Sequence, residues 1–464
     1  MVFCCKRCCA HVALGSLLAM PILMCGCSSH GARSPSPQAE NTISQDASAI
    51  AADAYVWGLP LVVTMRMMQR AAPNIGINRL FLRQQLNDPT TDAVPLGNVD
   101  FLMASAVLDL RNGPLVLTVP EIKDRYYSFQ FLDMYTEAFA YIGTRAMGGE
   151  AGSWVIAPPG WDGELPSGDL LTSASTPLVY LLGRFLVASA DDLPAARAVM
   201  AQVSLEPLTP GQRTPAPSSF GPPPGAPMDS ASAGAAFFDE LGDILAVNPP
   251  TSEVDRAVLE RFAAIGIGPG FHPAADGTPD SRAALAKGVA DGAKHLNQEV
   301  AASRESANGW TIDRQLGRYS DNFLLRARVA QFGWGANVLE EAVYMLSTGG
   351  ANGEPYSGAR NYVLHFPAGE LPPASAFWSL TLYGADLFLF DNPAHRYAIR
   401  DLTPGLQTNP DGSLDIYIQQ SPPPGHEPNW LPAPAGGFVL EIRIYLPKPS
   451  VLDGTYRPPA VTPN

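Results

Sequence analysis

Apolar and polar residues alternate over 438–446, where Leu440, Ile442 and Ile444 interleave with Glu441, Arg443 and Tyr445. That period of two predicts an antiparallel strand with one face buried and the other toward water. Residues 414–418 repeat the pattern after the turn Asn409-Pro410-Asp411-Gly412, and 362–366 and 378–383 read as further strands. A second β region begins near residue 94. There 115–119 ends at Pro120, 154–157 is another short apolar run, and 126–141 is rich in aromatic residues.

Helical spacing occupies the intervals. Residues 47–70 hold a helix-like stretch centred on 51–57, with a break expected at Pro60. Three more helices are expected at 236–245, 252–264 and 281–306, the second stopped by Gly266-Ile267-Gly268-Pro269-Gly270. Residues 207–235 hold eight prolines and mark the clearest internal boundary. The expected organisation is a leader at 1–26, a flexible tether at 27–45 and an N-terminal β domain at 46–206. A Pro-rich linker at 207–235, a helical segment at 236–318 and a C-terminal β domain at 319–460 follow. The fold class is mainly β with a helical insert.

Composition refines this picture. The 45 prolines and 42 glycines favour a loop-rich β architecture over a helical bundle. The formal charge is −14, and more negative without Lys6 and Arg7. An acidic surface excludes a nucleic-acid partner, which needs a basic face. All six cysteines lie at or before residue 27. Lys6 and Arg7 precede a short apolar run, which ends at Leu23-Met24-Cys25-Gly26-Cys27-Ser28. This has the form of a lipoprotein signal, with Cys27 as the lipidated residue. The expected location is the cell envelope, anchored through lipid, at the outer membrane facing the periplasm if the host is Gram-negative.

Chemistry is harder to read. No HxH or HExxH pair, nucleophile elbow, SxxK or phosphate loop occurs, and thiol catalysis lacks a cysteine outside the leader. No metal or cofactor is expected. What stands out is Asn98-Val99-Asp100 and the group Tyr126, Tyr127, Gln130, Asp133, Tyr135 and Thr136. Taken as one strand, the latter puts Tyr127, Asp133 and Tyr135 on one face and Gln130 on the other. Such a face could hydrogen-bond a sugar or small metabolite, or form a sandwich core whose hydroxyls are satisfied internally. Arg396 joins Asn98, Tyr127, Gln130, Asp133 and Tyr135 as a ligand-binding candidate. Asp100 and Asp133 are the candidate acid/base carboxylates. Arg326, Arg328 and Arg443 are expected to pair with buried acids, the alternative being to bind a carboxylate.

These motifs carry a resemblance. Ala54-Tyr55-Val56-Trp57-Gly58-Leu59-Pro60, Gly97-Asn98-Val99-Asp100, Arg125-Tyr126-Tyr127-Ser128-Phe129-Gln130 and Asp133-Met134-Tyr135-Thr136 are similar to the domain of unknown function numbered 1254. Glu340-Glu341-Ala342-Val343-Tyr344, Phe377-Trp378-Ser379-Leu380, Asn392-Pro393, Asn429-Trp430-Leu431-Pro432 and Arg443-Ile444-Tyr445 resemble the domain numbered 1214. Bacterial proteins join the two. The resemblance implies an immunoglobulin-like β domain, a helical insert and a jelly-roll-like β-sandwich domain, and brings no established activity. Two departures are a longer Pro-rich stretch at 207–235 and a missing acid in the loop 349–353.

The leading functional expectation is an envelope lipoprotein that binds a glycan or small metabolite. The alternatives are an envelope hydrolase and a self-associating surface protein that forms a homo-oligomer.

Overall fold

The computed structural model describes residues 37–91, 95–302 and 305–464. The leader expected at 1–26 and the expected lipidation residue Cys27 lie outside them. Residues 43–464 form one compact unit.

Nine strands build the first half. They are β1 Phe81–Leu82, β2 Phe101–Asp109, β3 Leu115–Val119, β4 Tyr127–Leu132, β5 Ala138–Gly143, β6 Gly152–Ala157, β7 Leu170–Ser173, β8 Leu178–Leu186 and β9 Ser204–Pro207. They form one sheet ordered β1-β2-β8-β4-β5 and a second ordered β7-β6-β3-β9. Between them lies a core to which β2 gives Leu102, Ala104 and Ala106, β4 gives Tyr127, Phe129 and Phe131, and β8 gives Val179, Leu181 and Phe185. The intervening residues of β2, β4 and β8 therefore point out of this sandwich.

The second half holds β10 Glu305–Ala307, β11 Trp310–Ile312, β12 Ala342–Ser347, β13 Tyr362–Phe366, β14 Ala374–Gly384, β15 Ala398–Arg400, β16 Leu414–Gln419, β17 Trp430–Pro432, β18 Phe438–Pro447 and β19 Val461–Pro463. Its sheets run β10-β11-β12-β18-β14-β15 and β17-β16-β13-β19. Leu440, Ile442 and Ile444 of β18 enter the core between these two sheets, as their alternation predicts. The other face of β18 does not meet water. Glu441, Arg443 and Tyr445 are 5, 2 and 1% exposed. A small apolar cluster explains this, because Phe101, Tyr126 and Leu186 of the first sandwich pack on Ala342, Phe377 and Tyr445 of the second. The two sandwiches meet through their outer faces.

Helix α1 (Pro37–Ile75) runs past Pro60, so the expected break is absent. The stretch Ala47–Ile75 is long and apolar enough to cross a membrane by length and composition, and 78% of its most apolar window is buried inside the protein. A helix apolar all round is a core helix when other elements enclose it. Here that burial outweighs the backbone bond forfeited at Pro60. The enclosing helices are α2 Ala236–Val247, α3 Glu253–Phe262 and α4 Pro279–Ala302. Gly288 of α4 is required by the fit: a Cβ there would lie 2.3 Å from that of Ala51. Gly266 ends the turn after α3 at φ 78°, as the glycine run predicts. The Pro-rich stretch straps α1. Arg66 donates to Asp229 O and Gln69 to Phe220 O, while Arg66 pairs with Glu240 at 2.6 Å. Helix α5 (Phe323–Phe332) lies farther along the chain.

Candidate functional site

The aromatic run 126–141 is not one strand. Strand β4 ends at Leu132 and the chain reverses over 133–137 before β5. Thr136 sits at φ 65°, and its N–H donates to Asp133 O. Asp133 organises this reversal. Its Oδ1 accepts from the N–H groups of Tyr135 and Glu137 at 2.9 Å each, and its Oδ2 from Ser175 at 2.6 Å. The shared face proposed for Tyr127, Asp133 and Tyr135 is thereby broken. Tyr127 lies in the first sandwich core with a buried hydroxyl that has no partner, and burial pushes its pKa up to about 12. Tyr135 instead packs edge-on against Trp57 of α1, with ring centroids 5.8 Å apart.

Asp100 and Asp133 do not form a catalytic pair. In the register of β8, Phe101 pairs with Leu186, while β4 runs from Tyr127 at Phe185 to Leu132 at Tyr180. The two carboxylates flank opposite ends of the sheet, roughly 26 Å apart at the usual rise per residue. Burial pushes the Asp133 carboxyl up to about 6, against the hydrogen bond from Ser175. Glu137 is pushed up to about 7 by the same cause, opposed by the N–H of Tyr319.

Asp100 belongs to the seam between the sandwiches. Its Oδ2 accepts from Asn98 Nδ2 at 3.1 Å and Ser379 Oγ at 2.8 Å, and Arg400 Nε lies 3.8 Å from Oδ1. Asn98 also donates to Tyr445 Oη at 3.2 Å. One element over, Arg443 pairs with Glu441 and donates to Thr381 Oγ1 at 3.0 Å and Leu96 O at 2.6 Å. Leu96 is held at φ 55°, a costly conformation for a side chain of its size, which aims its carbonyl at this guanidinium. Burial pushes the Glu441 carboxyl up, and Arg443 opposes it. Arg396 lies on a broad groove that Asp100 also lines, donating to Glu427 O at 2.6 Å and Trp430 O at 2.9 Å.

On the other side of Asn98 the sandwiches leave a partly open cavity of about 400 Å³. Outward residues of β2 and β8 form one wall: Met103, Ser105, Tyr180, Leu182 and Arg184. Tyr344 and Leu346 of β12 and Glu441, Arg443 and Tyr445 of β18 form the opposite one. Val329 and Phe332 of α5 and the turn 333–336 close the side, where Trp334 meets Tyr180 edge-on at 4.8 Å. Trp334 is fixed by donating to Thr64 of α1 at 3.1 Å.

Arg184 is the chemical centre of this cavity. It is 7% exposed and donates to Gln130 Oε1 at 2.9 Å and Gly335 O at 2.7 Å, both neutral. Gln130 is itself held by donating to Ala336 O at 2.8 Å. Among the described residues no carboxylate lies within ion-pair reach of Arg184. The other buried arginines are paired: Arg66 with Glu240 at 2.6 Å and, as the sequence suggested, Arg326 with Asp255 at 2.8 Å, Arg328 with Asp313 at 2.6 Å, and Arg443 with Glu441.

Of the sequence candidates, Asn98 lines the cavity and Gln130 orients its arginine. Tyr127, Asp133 and Tyr135 lie elsewhere. The missed residues are Arg184, Tyr180 and Trp334. The signal was available, since Arg184 is the one charged residue in the nine-residue apolar strand LVYLLGRFL.

Comparisons with known proteins agree with this organisation. Residues 77–207 match the model of the protein of unknown function DUF1254, and residues 341–449 that of DUF1214. The chain belongs to the proteins that pair these two domains. Among solved structures, the VPA0106 protein from Vibrio parahaemolyticus is similar at 24% identity and a TM-score of 0.69, over 90% of this chain and 100% of that one. That likeness concerns the fold. A putative uncharacterized protein from Burkholderia cenocepacia matches at 13% identity and a TM-score of 0.45, over 92% of this chain and 95% of that one. No curated protein matches the chain.

Proposed function

We propose that this protein is an exported binding protein of the cell envelope that holds a small metabolite in the cavity between its two β-sandwiches. The observation that carries this reading is the cavity itself. At about 400 Å³ it falls in the size range of small-molecule sites. Its walls are mostly apolar with a few fixed polar groups, the usual make-up of such sites. The envelope location rests on the leader-like segment that ends at Cys27. A metabolite with an apolar body suits these walls better than a glycan, whose hydroxyls would face Leu182, Val329 and Leu346 without partners.

A thermal-shift screen of the full-length chain against small carboxylates, apolar alcohols and sugars tests this. A ligand present at about 100 times its Kd adds about 2.7 kcal/mol of stability. Filling the cavity with Ser105→Phe should abolish that gain. A ligand that stabilises the variant as strongly as the parent chain binds elsewhere, and the reading then fails.

A further inference from the structure

We infer that the ligand is a monocarboxylate with an apolar, ring-sized body, its carboxylate seated on Arg184. This rests on the cavity being the binding site, and it names the ligand's chemical class. A guanidinium offers five N–H groups, and Arg184 spends two bonds on Gln130 and Gly335. Those partners fix the plane of the guanidinium and leave its charge unneutralised. A buried cation without a counter-ion is costly, and a carboxylate meets the remaining N–H groups as a planar fork.

Four arginines line the cavity: Arg83, Arg184, Arg328 and Arg443. Arg328 and Arg443 face the carboxylates of Asp313 and Glu441, which line the same space. Arg83 is bound to Asn87 Oδ1 and Thr91 Oγ1, both neutral. The cavity thus carries a positive excess among the described residues, concentrated on the deeply buried Arg184. Glu441 and Asp313 on the same wall oppose a second negative charge, so a monoanion fits better than a dianionic phosphate. The rest of the ligand must match apolar and aromatic wall. Tyr180 and Trp334, set edge-on, present the rim of a slot for a flat ring, with Met103 and Leu182 beside it.

The test is calorimetric titration of the full-length chain with 4-phenylbutyrate and with its neutral counterpart 4-phenylbutan-1-ol. The acid should bind, and the alcohol should bind about 10- to 100-fold more weakly, the range for a buried charged hydrogen bond. Arg184→Met should erase the preference for the acid. Arg184→Lys should erase most of it, because an ammonium cannot form the fork. Melting curves of both variants report whether they fold. Ser105→Phe should block acid and alcohol alike. Equal binding of acid and alcohol overturns the carboxylate class and leaves the cavity reading standing. An acid preference that survives in a folded Arg184→Met variant overturns the assignment to Arg184. Failure of both probes to bind overturns this inference together with the reading beneath it.

Discussion

Two buried guanidiniums face each other across the junction of the sandwiches, and the protein treats them differently. Arg443 on β18 is 2% exposed and held by Glu441, Thr381 and the strained carbonyl of Leu96. Arg184 on β8 is 7% exposed and held by the neutral oxygens of Gln130 and Gly335. Both line the same cavity, but the charge of Arg443 is met by Glu441 and by polar partners from both halves, whereas that of Arg184 meets neutral oxygens. A charge satisfied by its own fold reads as structure, whereas a charge positioned but not neutralised reads as a place for a ligand.

The largest expected effect comes from the seam. Arg443→Met leaves Glu441 buried without its cation and should cost about 3–5 kcal/mol in urea unfolding. Removing both charges together, Arg443→Met with Glu441→Leu, should cost less than Arg443→Met alone. If it costs more, the pair is not what stabilises the seam. Arg184→Met should cost less than Arg443→Met, about 1–3 kcal/mol, because it strands two neutral acceptors and no charge. Equal costs for the two arginines would break the comparison. A smaller effect, about 1 kcal/mol, is expected for Tyr445→Phe, which removes the acceptor of the Asn98 amide at the edge between seam and cavity.

The smallest effect is one of pH, away from both arginines. Glu137 has its carboxyl pushed up to about 7 by burial. A raised carboxyl pKa means that the folded chain holds a proton the unfolded chain has released. Its contribution is therefore most favourable below the ordinary carboxylate range, and it is lost as pH rises from there to about 7. Glu137→Gln keeps an acceptor for Tyr319 N and carries no charge. Its stability relative to the parent chain should be higher at pH 8 than at pH 5, as read from unfolding at both. A difference independent of pH would show that Glu137 is ionised throughout this range.

Much of the frame was legible. The alternation over 438–446 marked Leu440, Ile442 and Ile444 as core, and the turn ending at Gly412 and the stop at Gly266 were readable from local chemistry. Asn392 fixes a local turn by accepting from the N–H of Arg396, whereas Asn429 ties its segment to Gln407, 22 residues away. Two local readings failed for stated reasons. Pro60 did not break α1, because enclosure by other helices outweighs a local preference. The run 126–141 hid a reversal, because Asp133 and Thr136 make the turn without glycine or proline.

The sequence alone determined the two β regions, the helices between them, the pairing of the two domain types and the alternation of β16 and β18. Those features follow from local geometry and burial pattern. Only the tertiary structure decided that the second face of β18 meets another sheet instead of water. The same packing separated Asp100 from Asp133 and brought Arg184 to a cavity wall beside Tyr180 and Trp334. Periodicity tells which residues share a face. It does not tell what covers that face, because the partner surface comes from chain hundreds of residues away.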